Sequence, residues 1–257
     1  MDARVARISV APVKSLGLVH PESVELTHEG VHGDRRFWLV DAEGRLLNGK
    51  RHPELMQVRP EWDETARRLV LSFPDGSVVD GVVEPAEPFA AELYRTSHPS
   101  RLVPGPWQEA LSDFAGEPLT LLWSEQGAQD LGNDRGGWAS LISRGSLERM
   151  REQAGAAEAV DGRRFRMLFE IDGVAAHEED TWLGLRVRVG EAAIVPLGDV
   201  GRCVVTTCDP DTAVSDFDTL KILAAYRREG VVEPLPFGVY CDVAEPGRVQ
   251  VGDAVAI

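Results

Sequence analysis

The stretch VGRCVVTTCDPDT, Val200 to Thr212, holds two cysteines five residues apart: Cys203 behind an arginine, and Cys208 ahead of an Asp-Pro-Asp turn signal. A guanidinium beside a thiol favours the thiolate, the form that attacks electrophiles and binds soft or redox-active metals. The ordinary alternative for a lone cysteine in a β-rich chain is a buried, inert thiol. Basic residues supply a second clue. PVKS joins Lys14 to Ser15, GDRRFW joins Arg35 to Arg36, and GRRFR supplies Arg163, Arg164 and Arg166. Arg and Lys beside a hydroxyl and glycine amides are the groups that hold a phosphate, although any one such cluster also reads as solvated strand positions. Taken with the Arg-Cys pair, the clusters point towards a phosphate-bearing cofactor.

Other chemistries find no support. The chain has no P-loop, no dinucleotide glycine fingerprint, no HExxH and no GxSxG. His28 and His32 are four apart, but the glycines of THEGVHGD forbid the helix that would put them on one face. No CxxC pair exists to build a structural zinc site.

The elements that position these residues are mostly β. Period-two runs in VARISVAPV, SVELT, RFWLVDAEGRLLN and RLVLSFPDGSVV, broken at AEG and PDG, predict antiparallel strands and hairpins. The stretch VEPAEPFAAELYRTSHPSRLVPGP reads as a linker or loop leading to a helix at WQEALSDFAG. SLISRGSLERMREQAG predicts a helix through Leu141, Ile142, Leu147 and Met150 with Ser146 as its N-cap, and DTLKILAAYRREG predicts one that ends in basic residues. Further strands are expected in RFRMLFEIDG, LRVRVGEAAIVPLG, RCVVTTC and GVYCDVAEPGRVQVGDAVAI, the cysteines of RCVVTTC pointing to opposite faces.

The 257 residues suffice for a large core without staples, and three cysteines make an odd count that suits a reducing compartment. With 42 acidic against 27 basic side chains and a net charge of -15, a nucleic-acid partner is not expected. The N-terminus lacks the apolar stretch of a signal peptide and no apolar run approaches membrane-spanning length, so the expected location is cytoplasmic, without a membrane partner.

At these motifs the chain resembles the MOSC family, named after the C-terminal domain of molybdenum cofactor sulfurase. More narrowly, it is similar to the two-part members related to the mitochondrial amidoxime-reducing component. APVKSLGLVHPESVELTHEGVHGDRRFWLVDAEGRLL resembles the N-terminal signature, RCVVTTCDPDT the core motif and PFGVYCDVAEPGRVQVGDAV the closing one. The resemblance implies a mostly β fold with a few helices: an N-terminal antiparallel β-barrel-like domain over residues 1–112 and a MOSC β-barrel domain over 113–257.

It also implies a molybdenum cofactor, with Cys203 as metal ligand and catalytic residue. Lys14 and Ser15 match the family's VKS contacts, Arg36 the arginine before Phe-Trp, Arg166 that of FRPN, Arg202 the residue before the ligand, and Tyr240 the tyrosine of FGxY. Gly201 falls where relatives often carry serine and would offer only backbone. Gly136 and Gly137 stand at positions of small hydroxyl residues, with Trp138 following, and FRPN reads FRML here, which puts Leu168 in place of asparagine.

The activity implied is reduction of N-hydroxylated small molecules, with electrons from a separate redox protein. Asp209 and Asp211 read either as shapers of the entrance or as plain turn chemistry. Leu168 and the glycine pair motivate an alternative: sulfur transfer or carbon-sulfur chemistry without the molybdenum cofactor, Cys203 serving as nucleophile or persulfide carrier. A non-catalytic carrier of the cofactor is the third reading.

Overall fold

The computed structural model describes residues 3–93, 96–125 and 137–257. Its largest sheet has seven strands, in the order Arg4–Ile8, Phe169–Asp172, Ala139–Ser143, Pro236–Glu245, Ala192–Gly201, Val187–Val189 and Val255–Ala256. Neighbours are antiparallel except Ala139–Ser143 and Phe169–Asp172, which run parallel. An antiparallel bridge from Arg4 to Ala254 and a 2.9 Å bond from the Val5 N–H to the Asp253 carbonyl join the sheet's edges, so it nearly closes into a barrel. Residues two apart share a face of a strand, and Val187 with Val189 and Phe169 with Ile171 accordingly fill the interior.

Three smaller sheets complete the β structure, of which two are a four-stranded sheet and a three-stranded meander. Phe37–Val40, Thr120–Ser124, Thr96–Leu102 and Pro88–Leu93 form the first; Arg59–Asp63, Arg68–Ser72 and Val78–Val82 form the second. The PDG signal makes the expected turn, with the Phe73 N–H on the Ser77 carbonyl at 2.9 Å and Gly76 at a φ of 87°. Helix α1, Trp107–Ala115, packs Trp107 and Leu111 into the core formed with Phe37, Leu69 and Leu71. The Trp107 Nε1–H donates to the Leu69 carbonyl at 3.0 Å, which satisfies the polar end of a ring otherwise buried.

A third sheet, Gly247–Gln250, Ser23–Thr27 and Gly30–Val31, shows how the halves interleave. Strands from the first 31 residues join strands from beyond residue 138, whereas Thr120–Ser124 pairs with Phe37–Val40. A single cut between residues 112 and 113 therefore does not separate the sheets.

Four local expectations differ from the fold. The presumed linker contains the strand pair Pro88–Leu93 and Thr96–Leu102; Pro88 is tolerated because it opens its strand. Leu141 and Ile142 belong to a strand, and helix α2, Arg144–Ala154, begins only after it. Its N-cap is Ser143, whose Oγ accepts the Ser146 N–H at 3.0 Å, and it stops at Gly155 in the left-handed region. Helix α3, Thr219–Tyr226, ends before its arginines, so they do not occupy its last turn. RCVVTTC is not a strand: the chain leaves its strand at Gly201 and makes a 3₁₀ turn over Val204–Thr207. Thr206 and Thr207 favour that turn, each hydroxyl donating to the carbonyl three residues earlier, on Cys203 at 2.9 Å and on Val204 at 2.7 Å.

The cysteines are free thiols. Among the described residues, no helix is long and apolar enough to cross a membrane.

Candidate functional site

Strand Ala192–Gly201 delivers the chain to one end of the barrel, and Arg202 and Cys203 follow directly. Arg202 is fixed from three sides. Its Nε–H donates to the Phe237 carbonyl at 2.8 Å, Nη1 donates to the Phe165 carbonyl at 3.0 Å, and Nη2 reaches both Phe237 and the Met167 sulfur. The guanidinium also lies 5.2 Å from the centre of the Phe165 ring. Gly238 makes this packing possible. Its φ is 81°, and a Cβ there would fall 2.8 Å from the Leu141 carbonyl oxygen and 3.3 Å from Arg202 Nη2.

Loops bring the other cations to the same place. Ser15 adopts a φ of 76°, turning the chain after Lys14, and its Oγ donates to the Leu47 carbonyl at 3.3 Å. Arg166, also left-handed, ends the 3₁₀ turn Gly162–Phe165 and donates from Nη2 to the Leu16 carbonyl at 2.7 Å. Arg35 pairs with the buried Asp34 and donates to the Arg166 carbonyl at 3.4 Å.

These elements enclose a cleft of about 290 Å³. Of the residues expected from sequence, Lys14, Ser15, Arg166, Gly201, Arg202, Cys203 and Tyr240 line it together. So do Arg35 and Arg164, which the sequence marked only as members of basic clusters, and Lys50, which it did not mark. Among the described residues the wall thus carries six cationic side chains and no carboxylate, in a chain whose net charge is -15. Two of the chain's three lysines stand here, and that scarcity is the sequence signal that could have singled out Lys50. Cys203, half-buried, caps the 3₁₀ turn beside them.

Two expected positions fall elsewhere, and a third lies outside the described residues. Arg36 is outside the cleft lining: it pairs with Glu64 at 3.7 Å and lies over the Trp123 ring at 4.9 Å. Arg35 takes the inward direction in a left-handed conformation, so the next residue faces the opposite way as the strand begins. Gly137 donates its N–H to Asp242 at 3.1 Å and is not part of the lining, while Gly136 lies outside the described residues.

Leu168 is buried in the barrel core and does not line the cleft; its neighbour Met167 does. The asparagine-to-leucine departure therefore swaps a core-facing side chain, which removes much of the motive for a cofactor-free reading.

The neighbouring thiols have different surroundings. Cys208 is buried and lines an adjoining cavity, and Cys241 sits inside the barrel, where burial pushes its thiol well above the ordinary range. Asp209 accepts the N–H groups of Asp211 and Thr212 at 3.0 and 2.8 Å, which is turn chemistry. Asp211 pairs with Arg163 through two bonds of 2.9 and 2.6 Å, and the guanidinium holds its carboxyl below the usual range. Among the described residues no group of three or more His, Cys, Asp or Glu side chains could hold a metal unaided.

Comparison with known proteins identifies the family. The MOSC N-terminal beta barrel domain matches residues 2–105, and the MOSC domain matches residues 135–256. Mitochondrial amidoxime reducing component 2 of Bos taurus is 26% identical over 98% of this chain and 82% of its own length. Molybdenum cofactor sulfurase of Oryza sativa subsp. japonica is 25% identical over 89% of the chain, which spans only 31% of that protein. The YuaD protein of Bacillus subtilis aligns in structure with 99% of the chain and 94% of its own, at 13% identity and a TM-score of 0.43. The two domain matches together cover most of the chain, and this protein belongs to the MOSC-domain family, in the form that carries the N-terminal β-barrel domain as well.

Proposed function

We propose that this protein holds a molybdenum cofactor in the Lys14–Cys203 cleft and reduces N-hydroxylated small molecules. One observation carries the reading: among the described residues, one cleft sets a half-buried cysteine amid six cationic side chains with no carboxylate. That donor set fits an anionic, phosphate-bearing cofactor that needs one thiolate from the protein. When bound, the cofactor supplies two-electron oxygen-atom chemistry, and the protein's part is placement.

Lys14, Arg35 and Arg166 would hold the phosphate, Ser15 and Tyr240 would offer polar contacts, and Cys203 would ligate the metal. Arg202 acts through the backbone. By gripping the Phe165 and Phe237 carbonyls it sets the direction in which the chain enters Cys203. A small substrate would enter from the cleft mouth, and a separate redox protein would supply the electrons.

Protein from a molybdenum-replete host, beside Cys203→Ala, tests this. The wild type is expected to carry molybdenum and pterin and to reduce benzamidoxime with dithionite, and Cys203→Ala to lose turnover. Protein free of both molybdenum and pterin would sink the proposal. A persulfide detected on Cys203 by intact mass would favour sulfur transfer instead.

A further inference from the structure

Sharing Met56, Arg164 and Arg166 with the cleft is a second cavity of about 200 Å³, walled by Gly17–Leu18 on one side and by Cys208, Pro210 and Asp211 on the other. Four guanidinium groups, those of Arg59, Arg163, Arg164 and Arg166, line it against one carboxylate, Asp211. Three of the four are committed. Arg163 is bonded to Asp161 and Asp211, Arg164 to Asp216 at 2.7 and 3.0 Å, and Arg166 to the Leu16 carbonyl.

Arg59 is different. It opens the strand Arg59–Asp63, lines this cavity and not the cleft, and its guanidinium has no hydrogen-bond or ion-pair partner among the described residues. His20, on the same wall, adds no charge: burial lowers its pKa, and an Nδ1 3.2 Å from the Ile8 carbonyl must carry the proton of a neutral ring. The cavity therefore offers one uncommitted fork of N–H donors beside arginines already fixed in place. A planar fork of that kind matches a carboxylate or a phosphate monoanion.

We infer that this annex is a substrate subsite for a compact oxyanion. Resting on the function proposed above, the substrate would be an anionic N-hydroxylated molecule, its carboxylate or phosphate anchored by Arg59 and its N–OH end turned past Arg164 and Arg166 towards Cys203. The annex thus divides the labour: cleft cations serve the cofactor, and Arg59 selects the substrate.

Two probes of one shape test the inference, benzamidoxime and its 4-carboxylate, with 4-phosphonooxybenzamidoxime to tell phosphate from carboxylate. Molybdenum-loaded protein assayed with dithionite is expected to show a kcat/KM about tenfold higher for the anionic probes, carried by KM. The preference should shrink in about 0.5 M salt, as a partly solvated ion pair requires. Arg59→Gln is expected to bring the ratio of the probes near one, and Arg59→Lys to restore part of it.

Calorimetric titration of the same probes reads the annex without turnover. If neither probe is reduced, the functional reading fails, and tighter binding of the anionic probes to the wild type than to Arg59→Gln still supports the annex. Equal binding and equal kcat/KM for charged and neutral probes, or a preference unchanged in Arg59→Gln, overturns it.

Discussion

The Asp41 cluster and the cleft hold their arginines in different ways. Around the four-stranded sheet, Asp41 is buried and ionised. It accepts the Arg45 and Glu43 N–H groups at 2.9 and 3.1 Å and pairs with Arg45 and Arg51, the latter reaching on to Glu117. At the cleft, Arg202 donates to the carbonyls of Phe165 and Phe237 and Arg166 to that of Leu16, while Arg35 and Arg164 pair with Asp34 and Asp216. A carboxylate partner fixes an arginine and offsets part of its charge. A carbonyl partner fixes it and leaves the charge available, and that is what an anion site requires.

The largest expected effect follows from that contrast. Arg202→Ala strips charged donors from the Phe165 and Phe237 carbonyls, and unfolding stability is expected to fall by about 3 kcal/mol. Arg68→Ala breaks an exposed pair with Asp80 and should leave the thermal midpoint unmoved. Equal losses in the two variants by denaturant titration would erase the distinction.

Two glycines sharpen it further. Gly238 and Gly76 have similar φ values, 81° and 87°, but a Cβ at Gly238 would strike backbone and Arg202, whereas one at Gly76 meets nothing within 4 Å. Gly76→Ala is expected to cost about 1 kcal/mol of left-handed strain, and Gly238→Ala about 3 kcal/mol, because collision adds to strain.

Acid should attack the barrel half first. Burial, helped by the Arg227 and Arg149 charges, pushes His177 down to about 4 from the ordinary 6.5. The unfolded chain therefore takes up a proton through pH 6.5 while the folded chain does not, and stability falls from pH 6.5 to about 4. After allowance for solvent screening the loss is on the order of 1 kcal/mol. Glu179, raised by burial, acts in the opposite sense, so the difference between wild type and His177→Asn isolates the histidine. Asparagine suits the left-handed φ of 60° there.

Asp41 answers to a lower window. Burial would raise its pKa, but the bonds from Arg45 and Arg51 prevail and bring it down to about 2, so its contribution is lost only as pH falls from 3.8 towards 2. A wild-type curve that falls no more than that of His177→Asn between pH 6.5 and 4 would refute the order.

The smallest effect separates adjacent arginines. Arg36→Gln should leave molybdenum content as in the wild type, and Arg35→Gln should lower it, as metal analysis of the two purified variants would show.

That last pair also marks how far sequence reasoning reached. Alternation in SVELT and RLVLSF, with PDG between strands, was enough to place hairpins because turn chemistry and period-two burial are local signals. Cys203, Arg202 and Lys14 were legible through motif order. Arg35 was not, since which arginine of a pair faces inward depends on a single left-handed φ that both could adopt. The 3₁₀ turn after Cys203 was missed because VVTT has strand propensity, and threonine hydroxyls bonding back to carbonyls override it. Ser143 was hidden as a cap by Leu141 and Ile142, whose spacing suits a helix and whose burial belongs to a strand.

The interleaved sheets set a timetable for synthesis. Arg4 donates to the carbonyl of Gly252, 248 residues away, and its strand pairs with Phe169–Asp172. On the ribosome the strand Arg4–Ile8 waits for Phe169–Asp172 and then for Asp253 and Ala254 before both its edges are met. The barrel that carries Cys203 must therefore close late, and no nascent intermediate short of residue 240 can hold the finished cleft.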